Sequence, residues 1–354
     1  MALLDSAPAS LCLLRLSAIG DCCHAIALVQ AIQRQWPQTR ITWITGKVEA
    51  KLLQLVPNVE IIVFDKGAGW RAYTALWKQL RGRRFDVLLH MQAALRASLA
   101  SLGIRARHRL GFERERAKDG QWLFTNLKVP ATGEHVVDGF MGFGLALGLT
   151  DLTPNWSLPI PAEAALWAAP YAERQPLLLI CPAASKAYKN WTAEGYAALA
   201  DHAHGKGMQV MLIGSPAQQE QELADKICHL TDNIAENLVG RTSLPQLLAL
   251  IKAARLVVAP DTGPTHMATL VNTPVLGLYA HHNPERTGPY HCRNYVVSAY
   301  DEALLAETGK TAAQLPWRTR VKDPDAMQRI SADKVTAQFD RLCRDFNLLS
   351  VTSN

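Results

Sequence analysis

Short apolar runs alternate along the chain with segments in which apolar residues recur every three or four positions. The runs predict strands, and the three-to-four spacing predicts helices. The predicted strands are 11–16, 41–44, 59–64, 85–89 and 108–112 in the first half and 177–181, 209–213, 256–259 and 275–279 in the second. Strands that alternate with helices in this way are typical of an α/β fold with parallel sheets.

A proline-rich segment divides this pattern. Residues 151–176 contain five prolines and are predicted to link two domains. We expect two Rossmann-like domains with parallel sheets facing a central cleft, at 1–160 and 161–328. An apolar stripe after Ser331 predicts a last helix, and we expect residues 329–354 to pack back on the first domain.

Composition narrows the class of protein. Of 354 residues, 49% are hydrophobic and 19% are charged, which excludes disorder of the whole chain. No apolar run reaches the roughly 20 residues that span a bilayer, and the first ten residues lack the basic region of a signal peptide.

Seven cysteines without a C-x-x-C pair argue against a disulfide framework or structural zinc. A net charge of +6 permits an anionic partner without requiring one.

The first candidate site follows the first predicted strand. Ser17, Gly20 and Asp21 lie in the sequence Ser-Ala-Ile-Gly-Asp, where the next helix is predicted to begin. In such sheets, ligands bind beyond the carboxyl ends of the strands, and a helix N-terminus suits an anion. Asp21 is placed to act as a general base. The alternative is that its carboxylate only caps the helix.

A loop with hydroxyl and ammonium groups follows the predicted strand 177–181. It contains Ser185 and Lys189. Side chains of these two types donate hydrogen bonds to phosphate oxygens. The alternative is a solvated basic loop anchored by Trp191.

A second such loop follows the predicted strand 256–259. Thr262 and Gly263 would place a hydroxyl and backbone N–H groups at a helix N-terminus, which suits an anion. Asp261, at a strand end, could bond a sugar hydroxyl or orient a neighbouring residue. His266, in the first helical turn, either faces the ligand or is a structural residue.

A basic segment lies in the first half of the chain. It comprises Arg96, Arg105, Arg107, His108, Arg109, Arg114, Arg116 and Lys118, with two glutamates between them. Either it is a solvated face or it binds an anionic, small or lipid-linked acceptor. No aromatic stacking platform accompanies it, so a nucleic-acid partner is not expected. An NAD-dependent oxidoreductase is not supported, because a G-x-G-x-x-G fingerprint is missing.

Three motifs in order resemble the bacterial ADP-heptose:lipopolysaccharide heptosyltransferases of glycosyltransferase family 9, most of all those that add the first heptose. They are RLSAIGD at 15–21, K-x-W at 189–191, and PDTGPTH at 260–266 with a following strand that ends in GLY. The resemblance covers nearly the whole chain.

This resemblance implies a GT-B fold in which residues 1–160 bind the acceptor and residues 161–328 bind the ADP-sugar. It implies inverting transfer of L-glycero-D-manno-heptose from ADP-heptose to the Kdo of Kdo-lipid A, with no metal or other cofactor. The enzyme would be cytoplasmic, in peripheral contact with the inner membrane. Two alternatives stay open: transfer of the second heptose or another core sugar, and, more remotely, a non-catalytic module that binds nucleotides or polyanions.

The resemblance also implies roles for single residues. Asp21 matches the catalytic base, and Lys189 matches the lysine that binds the diphosphate. Glu220 and Thr242 correspond to residues that contact ribose and adenine. The full donor site would comprise Ser185, Lys189, Glu220, Thr242, Asp261, Thr262, Gly263 and His266. For the acceptor we predict Ser17, Gly20, Arg105, Arg107 and Arg109.

Two departures from the family pattern stand out. The usual threonine pair before the lysine is Ala184-Ser185, which removes one hydroxyl. After the last strand, where the family often has a stretch like Tyr-Gly-Pro-Thr, this chain has Tyr279-Ala-His281-His282-Asn-Pro-Glu-Arg286-Thr-Gly. We therefore expect His281, His282 or Arg286 to supply the lost polar contacts.

Overall fold

The computed structural model describes residues 3–4, 6–172 and 176–349. The chain divides into two compact units, Met1–Pro159 and Ile160–Asn354. Each is built on a six-stranded parallel sheet with flanking helices, so the predicted α/β fold class is confirmed.

The first sheet has the order β3-β2-β1-β4-β5-β6. Its strands are β1 (Ser10–Leu14), β2 (Arg40–Gly46), β3 (Val59–Phe64), β4 (Phe85–His90), β5 (Ala106–Gly111) and β6 (Leu127–Lys128). Every neighbouring pair is parallel. Strand β1 lies in the middle with Leu11, Leu13 and Leu14 fully buried. A strand covered on both faces is apolar throughout, which is why β1 could be recognised from its sequence.

In the described part of the first unit, five helices flank this sheet. They are α1 (Ile19–Gln35), α2 (Lys47–Leu53), α3 (Trp70–Gln79), α4 (Leu95–Ala100) and α5 (Val136–Leu147). Leu76 of α3 and Ala97 of α4 join one apolar cluster with Leu14 and Leu88 of the sheet. Helices α1 and α5 pack against each other.

Helix α5 is largely apolar, and nine of its 12 residues are buried. A Cβ atom on Gly144 would lie 2.9–3.2 Å from Leu28, Leu149 and Leu152, so this glycine permits the close packing. The helix ends at Gly148, whose φ of 102° is in the left-handed region. Within the described ranges, no helix has the length and hydropathy needed to cross a membrane.

The second sheet has the order β12-β11-β10-β7-β8-β9. Its strands are β7 (Leu177–Ile180), β8 (Gln209–Leu212), β9 (Glu236–Asn237), β10 (Leu256–Pro260), β11 (Val275–Tyr279) and β12 (Val296–Ser298). All neighbours are again parallel. The two sheets share one topology. The first strand of each unit (β1 or β7) is central, the second and third strands follow on one side of it, and the fourth strand lies on its other side.

Eight helices of the second unit lie within the described residues. They are α6 (Ala162–Ala172), α7 (Ala193–Gly205), α8 (Gln218–Leu230), α9 (Leu244–Ala253), α10 (Gly263–Leu270), α11 (Pro284–Thr287), α12 (Tyr300–Thr308) and α13 (Ala332–Asp345). Thr192, Ser243 and Ser331 cap α7, α9 and α13, since each side-chain oxygen accepts a bond from a backbone N–H of the first turn.

One expectation about organisation needs correction. The proline-rich segment 151–176 is not only a linker, because it contains α6, whose Ala164 and Ala168 pack on Ala249 of α9. The last helix packs within the second unit, where Phe339 of α13 is fully buried with residues of α7. The packing of residues 329–354 on the first domain stays a prediction. The end of the predicted segment 329–354, residues 350–354, lies outside the described residues.

Candidate active site

The predicted donor-site residues follow the carboxyl ends of four strands of the second sheet. Ser185 and Lys189 follow β7, Glu220 follows β8, Thr242 follows β9, and Asp261, Thr262, Gly263 and His266 follow β10. Because all strands are parallel, these ends lie along one edge. The structure therefore brings the predicted residues to a common edge of the second unit.

Asp261 is the centre of a buried charge cluster at this edge. Its Oδ2 lies 2.8 Å from Nζ of Lys189 and is hydrogen-bonded to Nδ1 of His282. Its Oδ1 lies 3.5 Å from Nε2 of His266. Burial by itself would raise the pKa of Asp261, but hydrogen bonds from the two histidines and the charge of Lys189 outweigh it and hold that pKa well below its usual range. Asp261 is therefore an anion that fixes the Lys189 ammonium.

His282 completes this cluster. Burial lowers its pKa, against the opposing effect of Asp261, so the imidazole is neutral at pH 7 and donates from Nδ1 to that carboxylate. Its Nε2 is buried and has no hydrogen-bond partner in the described part of the chain.

The neighbouring residues of the same stretch have other contacts. Each ring nitrogen of His281 faces a backbone carbonyl: Nε2 is 2.7 Å from Tyr188 O, and Nδ1 is 3.0 Å from Val321 O. Arg286 stacks over the ring of Trp317 at 4.4 Å. His282 contacts the Lys189–Asp261 pair directly. The compensating role expected of His281, His282 or Arg286 stays a prediction.

The loop that carries Lys189 is anchored on both sides. Asn190 Oδ1 accepts a 2.8 Å hydrogen bond from Ala184 N. Trp191 is 3% exposed and donates its indole N–H to Ile330 O at 2.8 Å. The tryptophan of the K-x-W motif is thus a structural anchor, whereas Ser185 is exposed at the tip of the loop.

Helix α10 presents its N-terminus at the same edge. Thr262 is its N-cap residue, yet the Thr262 hydroxyl does not cap the helix. Pro264 in the first turn has no N–H group to satisfy. Free N–H groups, the hydroxyl of Thr262 and the helix dipole together favour an anion beside Lys189.

Glu220 and Thr242 lie further along this edge. Both carboxylate oxygens of Glu220 accept hydrogen bonds from Ser215, at 2.7 Å from the backbone N and 2.6 Å from Oγ. Glu220 therefore shapes the loop after β8. Thr242 is partly exposed, one residue before the Ser243 N-cap. Their contacts with ribose and adenine stay predictions.

In the first unit, Asp21 occupies the first turn of α1. It accepts a hydrogen bond from Ala18 N at 3.4 Å, as the capping alternative predicts, and it also forms an ion pair with Arg15. Its side chain is 33% exposed and thus accessible to a substrate. Ser17 and Gly20 lie beside it, before and within the first turn.

Sequence reasoning missed two residues of this site, Arg15 and Gln92. Arg15 donates to Met91 O at 2.6 Å as well as to Asp21. Gln92 accepts from Leu16 N at 2.6 Å and donates to Ser17 Oγ at 3.4 Å. A charged residue at the end of a buried strand was the available signal for Arg15. Nothing in the sequence marks Gln92.

The three arginines expected to bind the acceptor are not brought together with Asp21. Asp21 follows the carboxyl end of β1, whereas Arg105 precedes the amino end of β5 and Arg107 lies near it. These positions are on opposite edges of a parallel sheet. The guanidinium of Arg109 binds the carbonyl oxygens of Ile104, Phe124 and Ser101 at 2.6, 2.8 and 3.0 Å, so it holds the backbone together.

No group of three or more histidine, cysteine, aspartate or glutamate side chains in the described ranges is arranged to hold a metal ion.

Two units, each with a six-stranded parallel sheet and with the candidate site loops at its carboxyl edge, have the architecture of the GT-B fold. A glycosyltransferase family 9 protein from Veillonella parvula has this fold, with a TM-score of 0.78, 18% identity and coverage of 95% of this chain and 97% of that one. Escherichia coli heptosyltransferase WaaC, solved with ADP, has a TM-score of 0.72 and 18% identity, covering 94% and 99%.

Sequence comparison gives the family. A model described as glycosyltransferase family 9 (heptosyltransferase) matches residues 73–317. The lipopolysaccharide core heptosyltransferase OpsX of Haemophilus influenzae is 46% identical over 347 residues, which are 97% of this chain and 99% of that protein. The chain belongs to glycosyltransferase family 9, the heptosyltransferases.

Proposed function

We propose that this enzyme transfers L-glycero-D-manno-heptose from ADP-heptose to the Kdo of Kdo-lipid A, adding the first heptose of the lipopolysaccharide core. Transfer proceeds with inversion and without a metal. The observation that carries the proposal is the Lys189 ammonium held 2.8 Å from Asp261, beside the N-terminus of α10. The naming of the 46% identical relative as a lipopolysaccharide core heptosyltransferase supports the pathway.

Lys189, Thr262 and the first turn of α10 stabilise the departing ADP. Breaking the bond between the anomeric carbon and the diphosphate oxygen leaves negative charge on that oxygen. Groups already fixed toward this charge stabilise the transition state without having to reorganise. Asp261 fixes the ammonium in this way, and Glu220 and Thr242 would contact the nucleoside.

Asp21 activates the acceptor. Its carboxylate takes the proton of the Kdo hydroxyl while that oxygen attacks the anomeric carbon, and ADP leaves from the opposite face, which inverts the configuration. Arg15 forms an ion pair with the carboxylate and orients it. A positioned base of this kind contributes typically about 10²–10⁴-fold to the rate.

The acceptor is anchored in a membrane, so we propose that the enzyme works at the cytoplasmic face of the inner membrane. The exposed arginines of the first unit, among them Arg105 and Arg107, support contact with an anionic surface. Such attraction acts within about 8–10 Å at physiological salt.

The test uses Asp21→Asn and Lys189→Met, with Asp201→Asn and Lys252→Met as exposed controls. Transfer is measured with labelled ADP-heptose, and ADP binding by calorimetry. We expect Asp21→Asn to lose transfer and keep ADP affinity, and Lys189→Met to lose both. Normal transfer by Asp21→Asn would exclude Asp21 as the base.

The choice of acceptor separates the alternatives. Kdo-lipid A and an acceptor that already carries one heptose are offered in parallel. The proposal requires turnover of the first. Turnover of only the second would assign the later transfer, and ADP binding without any turnover would indicate a binding module.

A further inference from the structure

The amino edge of the first sheet, opposite the edge that carries Asp21, contains an open recess of about 490 Å³. Four of its lining residues are arginines: Arg83, Arg84, Arg105 and Arg109. They belong to the segments that lead into β4 and β5 and to β5 itself. No residue with a carboxylate side chain is among the lining residues.

The sheet register places two of these arginines side by side. Phe85 of β4 pairs with Ala106 of β5, so Arg84 and Arg105 occupy equivalent positions one residue earlier on neighbouring chains. Adjacent strands are about 4.8 Å apart. Like charges directly opposite each other on paired strands are unfavourable, and an anion between them would remove that cost.

Among the described residues, one of the four guanidinium groups has a carboxylate partner. Arg83 forms a two-pronged ion pair with Glu60, at 2.8 and 2.5 Å. Arg109 binds backbone carbonyls and no carboxylate in the described structure, and burial lowers its pKa. The side chains of Arg84 and Arg105 are exposed and form no hydrogen bond or ion pair with the described residues.

We propose that this recess is a phosphate-monoester site in which Arg84 and Arg105 bind the phosphate oxygens and Arg109 supplies a third positive charge behind them. A guanidinium binds phosphate with two parallel N–H groups. A phosphate monoester carries nearly two negative charges at neutral pH, which matches a site with more than one uncompensated cation. The ligand is a soluble phosphate or the phosphorylated headgroup of a lipid.

The site does not depend on the proposed transfer reaction. Arg84 and Arg105 lie at the edge of the sheet away from Asp21, and Lys189 and Asp261 belong to the other unit. Its test therefore measures binding, with saturating ADP present so that phosphate binding to the donor site does not interfere.

The variants are Arg84→Gln, Arg105→Gln and the double substitution, with Arg344→Gln as an exposed control that removes the same charge. Because Arg84 and Arg105 have no partner to lose in the described structure, we expect the melting temperature to stay unchanged. One arm measures binding of inorganic phosphate by calorimetry. The other measures cosedimentation with phosphatidylcholine vesicles that contain phosphatidic acid, or phosphatidylglycerol at matched surface charge.

We expect the native enzyme to bind phosphate, and each single substitution to weaken binding about tenfold, the worth of one charge-assisted hydrogen bond. Preference for phosphatidic acid over phosphatidylglycerol, lost in the double variant, would identify a lipid source. Phosphate binding without that preference would identify a soluble source. The proposal is overturned if the native enzyme binds neither probe, or if the double variant binds both as well as Arg344→Gln does.

Discussion

Acid should destabilise the first unit through one histidine, His90, at the end of β4. His90 is fully buried. Its Nδ1 lies 2.9 Å from Nε2 of Gln121, whose Oε1 accepts a bond from Phe112 N. This orientation of the amide makes Nδ1 an acceptor and places the proton of the neutral ring on Nε2. Protonation of Nδ1 would therefore break its hydrogen bond with Gln121 and place a positive charge in the buried interior.

The size of the effect follows from the pKa. Burial, with a smaller contribution from the charge of Arg109, lowers the pKa of His90 to about 4, from about 6.5 in an unfolded chain. Between these values the unfolded chain binds a proton that the folded protein does not. The free energy of unfolding therefore falls as pH drops from about 6.5 to about 4, by ~3 kcal/mol in total. Domains are commonly stable by about 5–15 kcal/mol, so the loss is large.

The matched variant is His90→Asn, which keeps an acceptor near the position of Nδ1 but does not titrate. Urea unfolding is followed by pulsed hydrogen exchange on peptides from β1 and β4, so that the first unit is measured by itself. We expect the stability difference between variant and native enzyme to change by ~3 kcal/mol between pH 7 and pH 4. His204→Asn, at an exposed position, is the control. If the native and His90→Asn curves run parallel over this range, the reasoning is wrong.

Two further substitutions test the site contacts. Arg15→Lys keeps the charge but loses the guanidinium group whose two nitrogens donate to Asp21 and to Met91 O. We expect transfer to slow about 10–100-fold with unchanged ADP affinity, and a loss of ADP affinity in calorimetry would contradict this. His281→Asn removes a side chain that connects the carbonyls of Tyr188 and Val321. The loop that carries Lys189 should then be less well ordered, and ADP should bind several-fold more weakly. An unchanged ADP affinity would show that His281 does not position that loop.

The central strands could be predicted because of where they lie. A parallel strand covered on both faces is apolar over its buried length, as β7 and residues 11–14 of β1 are. Strands β6, β9 and β12 have only two or three residues, too few to produce a pattern. Helix α6 was missed for a different reason: its buried face is made of alanines, and prolines surround it.

The candidate site was predictable as a set of loops but not as a set of contacts. A hydroxyl, a lysine or an aspartate directly after an apolar strand is visible in the sequence. The pairing of Lys189 with Asp261, which are 72 positions apart, is not. That pairing requires β7 and β10 to be neighbours, and hydrophobic periodicity carries no information about strand order.

Strand order also explains why each unit has its polar cluster where it does. In the first sheet, β2 and β3 extend from one side of β1, and β4 lies on its other side; in the second sheet, β7 has the same position between β8 and β10. The connections that leave the two central strands diverge there, so a gap opens at the carboxyl edge, where such sheets bind ligands. The contacts fall at these two places: Arg15 after β1 reaches Met91 after β4, and Lys189 after β7 reaches Asp261 after β10. The topology thus determines where ligands can bind, and the side chains at each gap determine the chemistry. The first unit has a carboxylate held by a guanidinium, and the second has an ammonium held by a carboxylate.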